Sequence, residues 1–164
     1  MSDDPLERRV ALLDAHRQIE QKIYQMGYAL EDGDFERVGD LLRHATYGAD
    51  RIGRRAFRGK NEIRDQYVRT NITYPGHGRA TREMYTNVVI DVDLDTGAAR
   101  STTAYTVAQQ TPDGESPFAL LVAGRYEDKW TLVDDDWRWS DRYVVVQFKN
   151  DLDRHMEPGS QPYN

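Results

Sequence analysis

Apolar residues recur at helical spacing through the first third of the chain. Leu12, Ile19, Ile23, Met26 and Leu30 form one stripe and predict a long helix. Asp4-Pro5-Leu6-Glu7 gives that helix a start: Asp4 can cap it, Pro5 suits the first turn, and Glu7 sits where a capping-box acid sits. Asp32-Gly33 gives it a stop. Asp34 then caps a second, shorter helix that turns Phe35, Val38, Leu41 and Leu42 inward. A third short helix is expected after Gly59, with Ile63 and Tyr67 one turn apart. From residue 80 the pattern changes. Segments 80–93, 98–110, 117–133 and 137–148 are rich in Thr, Val, Tyr and Trp and read as strands. The turns between them are Asp95-Thr96-Gly97, Pro112-Asp113-Gly114 and Asp134–Asp136. Short turns imply antiparallel neighbours, and helices followed by a meander imply an α+β fold. A long sheet curled around a helix leaves a conical interior, a natural place for a small-molecule pocket.

The 164 residues suit a single domain, expected over residues 1–150, with a loose C-terminal tail over 151–164 around Pro158-Gly159-Ser160-Gln161-Pro162. Lys and Arg number 22 and Asp and Glu 28, a net charge of −6 that argues against nucleic acid as a partner. There is no Cys, which excludes disulfides, a thiolate nucleophile and cysteine-held metal. No apolar stretch approaches the roughly 18 residues needed to span a membrane. The acidic start over Met1–Arg9 carries no signal-peptide pattern, so a cytoplasmic location is expected.

Two polar stripes could carry chemistry. Tyr24, Tyr28 and Glu31 share one helix face, with Gly27 leaving room beside them. On the strand from residue 80, Glu83, Tyr85, Asn87 and Val89 share one face and Met84, Thr86, Val88 and Ile90 the other. Spacing alone leaves two readings open for both stripes, a polar patch inside the cone or a solvated outer surface. The four histidines, His16, His44, His77 and His155, show no metal-ligand spacing, so no metal site is expected. Glycine signatures for phosphate binding and the serine-hydrolase elbow are also absent. Arg51, Arg54, Arg55, Arg58 and Lys60 surround Phe57 and read as a solvated loop or, less simply, the mouth of a pocket.

Several segments are familiar in their order. They are Tyr28-Ala29-Leu30-Glu31-Asp32-Gly33-Asp34-Phe35, Gly59-Lys60-Asn61-Glu62-Ile63, Thr81-Arg82-Glu83-Met84-Tyr85-Thr86-Asn87-Val88, Gly124-Arg125-Tyr126-Glu127-Asp128 and Trp137-Arg138-Trp139-Ser140-Asp141-Arg142. Over roughly residues 8–150 the chain resembles a SnoaL-like domain of the nuclear transport factor 2-like superfamily. The resemblance implies a cone: a curved antiparallel sheet wrapped around three N-terminal helices. It also implies acid–base chemistry without a cofactor, as in scytalone dehydratase-like enzymes, polyketide cyclases and ketosteroid isomerases.

In the dehydratase-like branch an Asp at the end of the first helix orients a His on the first long strand. Here those positions hold Glu31 and Glu83, so the acid–imidazole pair is replaced by two carboxylates. Facing one apolar cavity, each would oppose ionisation of the other, giving one acid and one base. Tyr28 and Tyr126 are then candidates to polarise a substrate oxygen and Asn87 to donate a hydrogen bond, with Tyr24 and Tyr85 beside them in the pocket. The expected function is a lyase, isomerase or cyclase acting on a hydrophobic, oxygenated, ring-containing small molecule. The competing expectation is a non-catalytic binding or assembly module, including a role like that of the small subunit of a ring-hydroxylating dioxygenase. Either way a homodimer is expected, formed through an outer sheet face too apolar to stay exposed.

Overall fold

Asp4 opens the first helix as its sequence predicts. Its carboxylate accepts from the backbone N–H of Leu6 at 2.8 Å, and α1 runs Pro5–Asp32 in the computed structural model, which describes residues 4–49 and 56–160. Gly33 ends the helix in the left-handed conformation at φ 68°, and the Asp34 N–H bonds back to the Ala29 carbonyl. Ile19, Ile23, Met26 and Leu30 are buried, whereas Leu12 remains exposed; Ala15 is the first buried residue of the helix. Asp34 caps α2 (Phe35–Leu41), which buries Phe35 and Val38. Two short strands follow, β1 (Thr46–Ala49) and β2 (Phe57–Arg58), then α3 (Gly59–Thr70), which buries Ile63 and Tyr67. Four long strands complete the domain: β3 (Thr81–Asp93), β4 (Ala98–Gln109), β5 (Ala119–Val133) and β6 (Asp136–Lys149).

The strand order is β2-β1-β6-β5-β4-β3. The meander β3–β6 is antiparallel throughout, as expected. The sheet as a whole is mixed, because β1 runs parallel to β6 in the register Thr46↔Asp141 to Ala49↔Val144. Four residues are too few to show a period, so β1 left no signal in the sequence. Its direction follows from where α2 delivers the chain, beside the free edge of β6.

The main core joins the α1 stripe to Trp130, Trp137 and Trp139, with Trp130 and Trp139 stacked at 4.1 Å between ring centroids. A second apolar group, Tyr105, Val107, Tyr126 and Val144, lies further along the sheet. Tyr85 bridges the two regions. Its ring lies where a Cβ on Gly27 would sit 3.1 Å away, so the absent side chain on α1 makes space for a phenol from β3.

A β-bulge between Thr86 and Val89 interrupts β3, with Asn87 at φ 50°. Before the bulge Glu83 and Tyr85 face inward; after it Val88, Ile90 and Val92 do so. The simple alternation expected for this strand therefore holds only to Thr86, and Asn87 and Val89 turn outward.

The residues after β6 pack closely instead of trailing. Leu152 and His155 are buried. The Ile72 N–H donates to the His155 carbonyl at 3.1 Å, Glu157 N–H to the Thr70 carbonyl at 3.0 Å, and the Tyr74 hydroxyl to the Arg154 carbonyl at 2.7 Å. Leu152 and Met156 supply the apolar contact that explains this docking: both line the cavity of the cone. Gln161 and Pro162, part of the expected tail, lie outside the described residues. No helix among the described residues is long and apolar enough to cross a membrane.

Candidate functional site

The cone encloses a cavity of about 430 Å³. Its walls are apolar, with Leu30, Phe57, Val107, Val144, Leu152 and Met156 among them. Tyr67, Tyr105 and Tyr126 add phenols, whose acidity burial suppresses so that they stay neutral donors.

One end of this cavity is polar. Arg79 Nη1 donates to Glu83 Oε1 at 2.9 Å, and both side chains are almost fully buried. Arg79 Nη2 contacts His155 Nε2 at 2.8 Å. A guanidinium only donates, so Nε2 must be the acceptor and the ring proton belongs on Nδ1. Burial first, and then the Arg79 charge, hold the His155 pKa well below the usual imidazole value. Burial also raises the pKa of Glu83; Arg79 pulls it back and Glu31 adds a smaller upward push. Glu83 Oε2, Arg79 Nε and His155 Nδ1 are buried and have no hydrogen-bond partner among the described residues.

The backbone that delivers Arg79 is tightly held. Its N–H donates to the Glu31 carbonyl at 2.9 Å, and its carbonyl accepts from Gln109 Nε2 at 3.0 Å. Gly78 makes this approach to the end of α1 feasible: a Cβ there would lie 2.3 Å from the Glu31 carbonyl oxygen.

The structure places the expected site residues in three groups. Glu83 and Tyr126 line the cavity. Tyr85 is packed behind it, edge-on to Tyr126 at 5.6 Å between ring centroids. The others lie outside. Tyr24 and Tyr28 are exposed on the outer side of α1, where the Tyr24 hydroxyl donates to Glu20 at 3.1 Å. With Glu31, Arg82, Glu83 and Tyr85 they line a second, smaller pocket, so five of the expected site residues do meet, outside the main cavity. Asn87 is exposed because the bulge turns it out.

Glu31 does not line the cavity. Its Oε1 accepts from the Glu83 N–H at 2.7 Å and its Oε2 from Arg82 Nη1 at 2.6 Å. Both of its oxygens are occupied, and it fixes the start of β3 rather than sharing a proton with Glu83. The reason is reach: at the last turn of α1 its side chain meets the β3 backbone before it can enter the cone. Of the basic run, Lys60 pairs with Glu36 and Asp40 while Phe57 points into the cavity; Arg51, Arg54 and Arg55 lie outside the described residues. Among the described residues no cluster of His, Asp and Glu could hold a metal ion.

A model of the SnoaL-like domain matches residues 11–143. The chain belongs to the SnoaL-like family. No curated protein matches it. Solved structures share its fold at low identity. A nuclear transport factor 2-like protein from Novosphingobium aromaticivorans superposes with a TM-score of 0.70 at 16% identity, covering 94% of this chain and 97% of that one. A candidate scytalone dehydratase from the same organism gives 0.67 at 18%, covering 87% and 91%. The beta subunit of a candidate aromatic-ring-hydroxylating dioxygenase, also from that organism, gives 0.66 at 19%, covering 85% and 93%.

In this SnoaL-like domain, sequence reasoning missed Arg79 and His155. Arg79 follows the glycine-rich turn Tyr74–Gly78, and that density of turn residues was the one available signal for a backbone held in an unusual path. His155 carried no signal, because an isolated His after the last strand resembles any polar tail residue. It is also the one histidine of the four that is buried.

Proposed function

We propose that this SnoaL-like protein is a cofactor-independent acid–base enzyme, a lyase, isomerase or cyclase. Its substrate is a hydrophobic, oxygenated, ring-containing small molecule. Glu83 takes a proton from the substrate and returns it at another atom. One observation carries this reading: Glu83, a residue of the mainly apolar cavity wall, has a buried carboxyl whose Oε2 has no hydrogen-bond partner among the described residues. Desolvation raises its pKa, which makes it a stronger base than a solvated carboxylate when ionised and a reservoir for the proton once taken. Glu31 serves it as a positioning residue by holding the Glu83 backbone.

The test begins with ligands. A library of oxygenated ring compounds, screened by thermal shift, should contain binders, since a ligand at 100 times its Kd adds about 2.7 kcal/mol of stability. With a turned-over compound in hand, Glu83→Gln should bind it normally and lose about 10²–10⁴-fold in kcat. Full turnover by that variant removes Glu83 from the mechanism.

A second reading keeps the cavity but not the catalysis. The fold likeness to a dioxygenase beta subunit favours an assembly module, which would co-purify with a larger partner and show no turnover alone. Under either reading we propose a cytoplasmic homodimer. Met84, Val89, Leu120 and Phe148 are exposed along the sheet, and light scattering that gives a monomer mass at high concentration counts against the dimer.

A further inference from the structure

We infer that the solvent-facing side of α1 is an interface that pairs, antiparallel, with the same helix of a second copy of this chain. It is a different surface from the sheet face proposed above, and it does not depend on the acid–base reading.

The longest helix carries a second apolar stripe. Ile19, Ile23, Met26 and Leu30 face the core. On the opposite side Leu6, Val10 and Leu13 are 68%, 57% and 63% exposed, and Tyr24 and Tyr28 are exposed further along. Leu6, Val10, Leu13, Arg17, Glu20 and Tyr24 follow one another at intervals of 4, 3, 4, 3 and 4 residues. That is the heptad spacing of a seam between two helices. Tyr28 adjoins Tyr24 one turn on. The core of the domain takes none of these side chains.

The order of residues along the seam decides the occupant. One end is Leu6, Val10 and Leu13, the other is Tyr24 and Tyr28, and the middle holds Arg17 and Glu20. In an antiparallel pair centred between Gln18 and Ile19, Arg17 of each copy lies opposite Glu20 of the other. Leu13 of each copy then lies opposite Tyr24 of the other. Both charges are matched and both apolar ends are covered. A parallel pair would set Arg17 against Arg17 and Glu20 against Glu20, and facing like charges oppose association. Within one chain Arg17 bonds to Asp14 at 2.9 Å and to Gln21 at 3.2 Å, and Glu20 accepts from the Tyr24 hydroxyl at 3.1 Å. These bonds are exposed, so both charged ends stay within reach of a second copy. A lipid surface fits less well. The stripe is flanked by Glu7 and Asp14 as well as Arg9, without the basic excess of a membrane-surface helix, and the chain carries a net charge of −6.

The same register has a consequence for the smaller pocket of about 220 Å³ lined by Tyr24, Gly27, Tyr28, Glu31 and Arg82. It brings Leu6 and Val10 of one copy over Gly27, Tyr28 and Glu31 of the other, so each copy supplies apolar cover to that pocket in its partner. The apolar ends are short, which makes the association depend on concentration.

The chain has no Cys, so cross-linking has a clean background. Leu13→Cys/Tyr24→Cys, treated with a short bismaleimide, should give covalent dimers. The two positions lie about 16 Å apart along one helix, too far to be bridged within a copy. Either single variant should stay uncross-linked. Sedimentation over a concentration series in low salt, where exposed charges are least screened, supplies the second test. Arg17→Glu or Glu20→Arg should weaken association at least tenfold, and the two together should restore it. Leu13→Asp should halve the limiting mass, from dimer to monomer or, where the sheet face also pairs, from tetramer to dimer. All these positions are exposed, so the core is untouched. Dimers from Leu13→Cys alone would reveal a parallel pair and overturn the inference. So would a failure of the double cysteine variant to cross-link, a mass that Leu13→Asp leaves unchanged, or a double charge reversal as weak as either single one. Leu13-dependent binding to phosphatidylcholine vesicles by a protein that does not self-associate would overturn it in favour of a lipid surface.

Discussion

Two buried carboxylate–guanidinium pairs, one within the sheet and one at the start of β3, have different fates. Asp128 and Arg142 meet at 3.3 Å with side chains 0% and 1% exposed. Arg142 lies beneath the Tyr126 ring, 3.8 Å from its centroid, and near Trp139. Neither residue lines the cavity. Glu83 and Arg79 are nearly as buried at 1% and 5%, yet both line it. Each pair leaves polar atoms without hydrogen-bond partners among the described residues: Asp128 Oδ1 with Arg142 Nε and Nη2, and Glu83 Oε2 with Arg79 Nε. The difference is position. Arg142 packs against the Tyr126 and Trp139 rings, whereas Glu83 and Arg79 belong to the cavity wall. Burial by itself therefore does not mark a working carboxyl in this protein; burial at a cavity wall does.

Matching amide substitutions test that contrast most strongly. Asp128→Asn strips a sealed guanidinium of its counter-charge and should cost about 3–5 kcal/mol in urea unfolding. Glu83→Gln should cost clearly less, because water in the cavity can rehydrate Arg79. Equal losses would erase the distinction between the pairs. Glu31→Ala comes next. It orphans the Glu83 N–H and should cost about 1–3 kcal/mol, with lower turnover as Glu83 loses its anchor. Unchanged stability would mean that the start of β3 is held by other contacts.

The smallest effect is a pH dependence. The folded pKa of His155 lies well below its ordinary value of 6.5. Below pH 6.5 the unfolded chain therefore binds a proton that the native state refuses. Stability from this group is complete above pH 6.5 and is lost as the pH falls, by at most about 1.4 kcal/mol per pH unit. Glu83, and Asp128 with a pKa pushed up to about 6 by burial against the pull of Arg142, act in the opposite sense. Their folded forms hold protons that the unfolded chain releases, so their contribution is lost as the pH rises. The His155 component is isolated by comparing wild type with His155→Gln between pH 6.5 and 5. The variant should lose less stability on acidification, and parallel curves would contradict a buried neutral imidazole.

Local rules in the sequence determined the helices, the meander and the fold family. Asp4, Pro5 and Gly33 bracket α1 through hydrogen bonds spanning a few residues, and the strand composition and turns set β3 to β6 in the same way. Glu83 was visible as a carboxylate on an alternating strand, and the structure places it in the cavity wall. Which polar groups meet was left to the tertiary structure. A bulge at Asn87 reset the parity of β3 and turned Asn87 outward, and the angle of α1 left Tyr24 and Tyr28 on its outer side. The end of α1 tied Glu31 to the β3 backbone. Arg79 and His155, 76 positions apart, meet because apolar Leu152 and Met156 line the cavity of the cone and carry the imidazole in with them. No periodicity links residues so far apart; only the burial of a shared apolar surface brings them to one place.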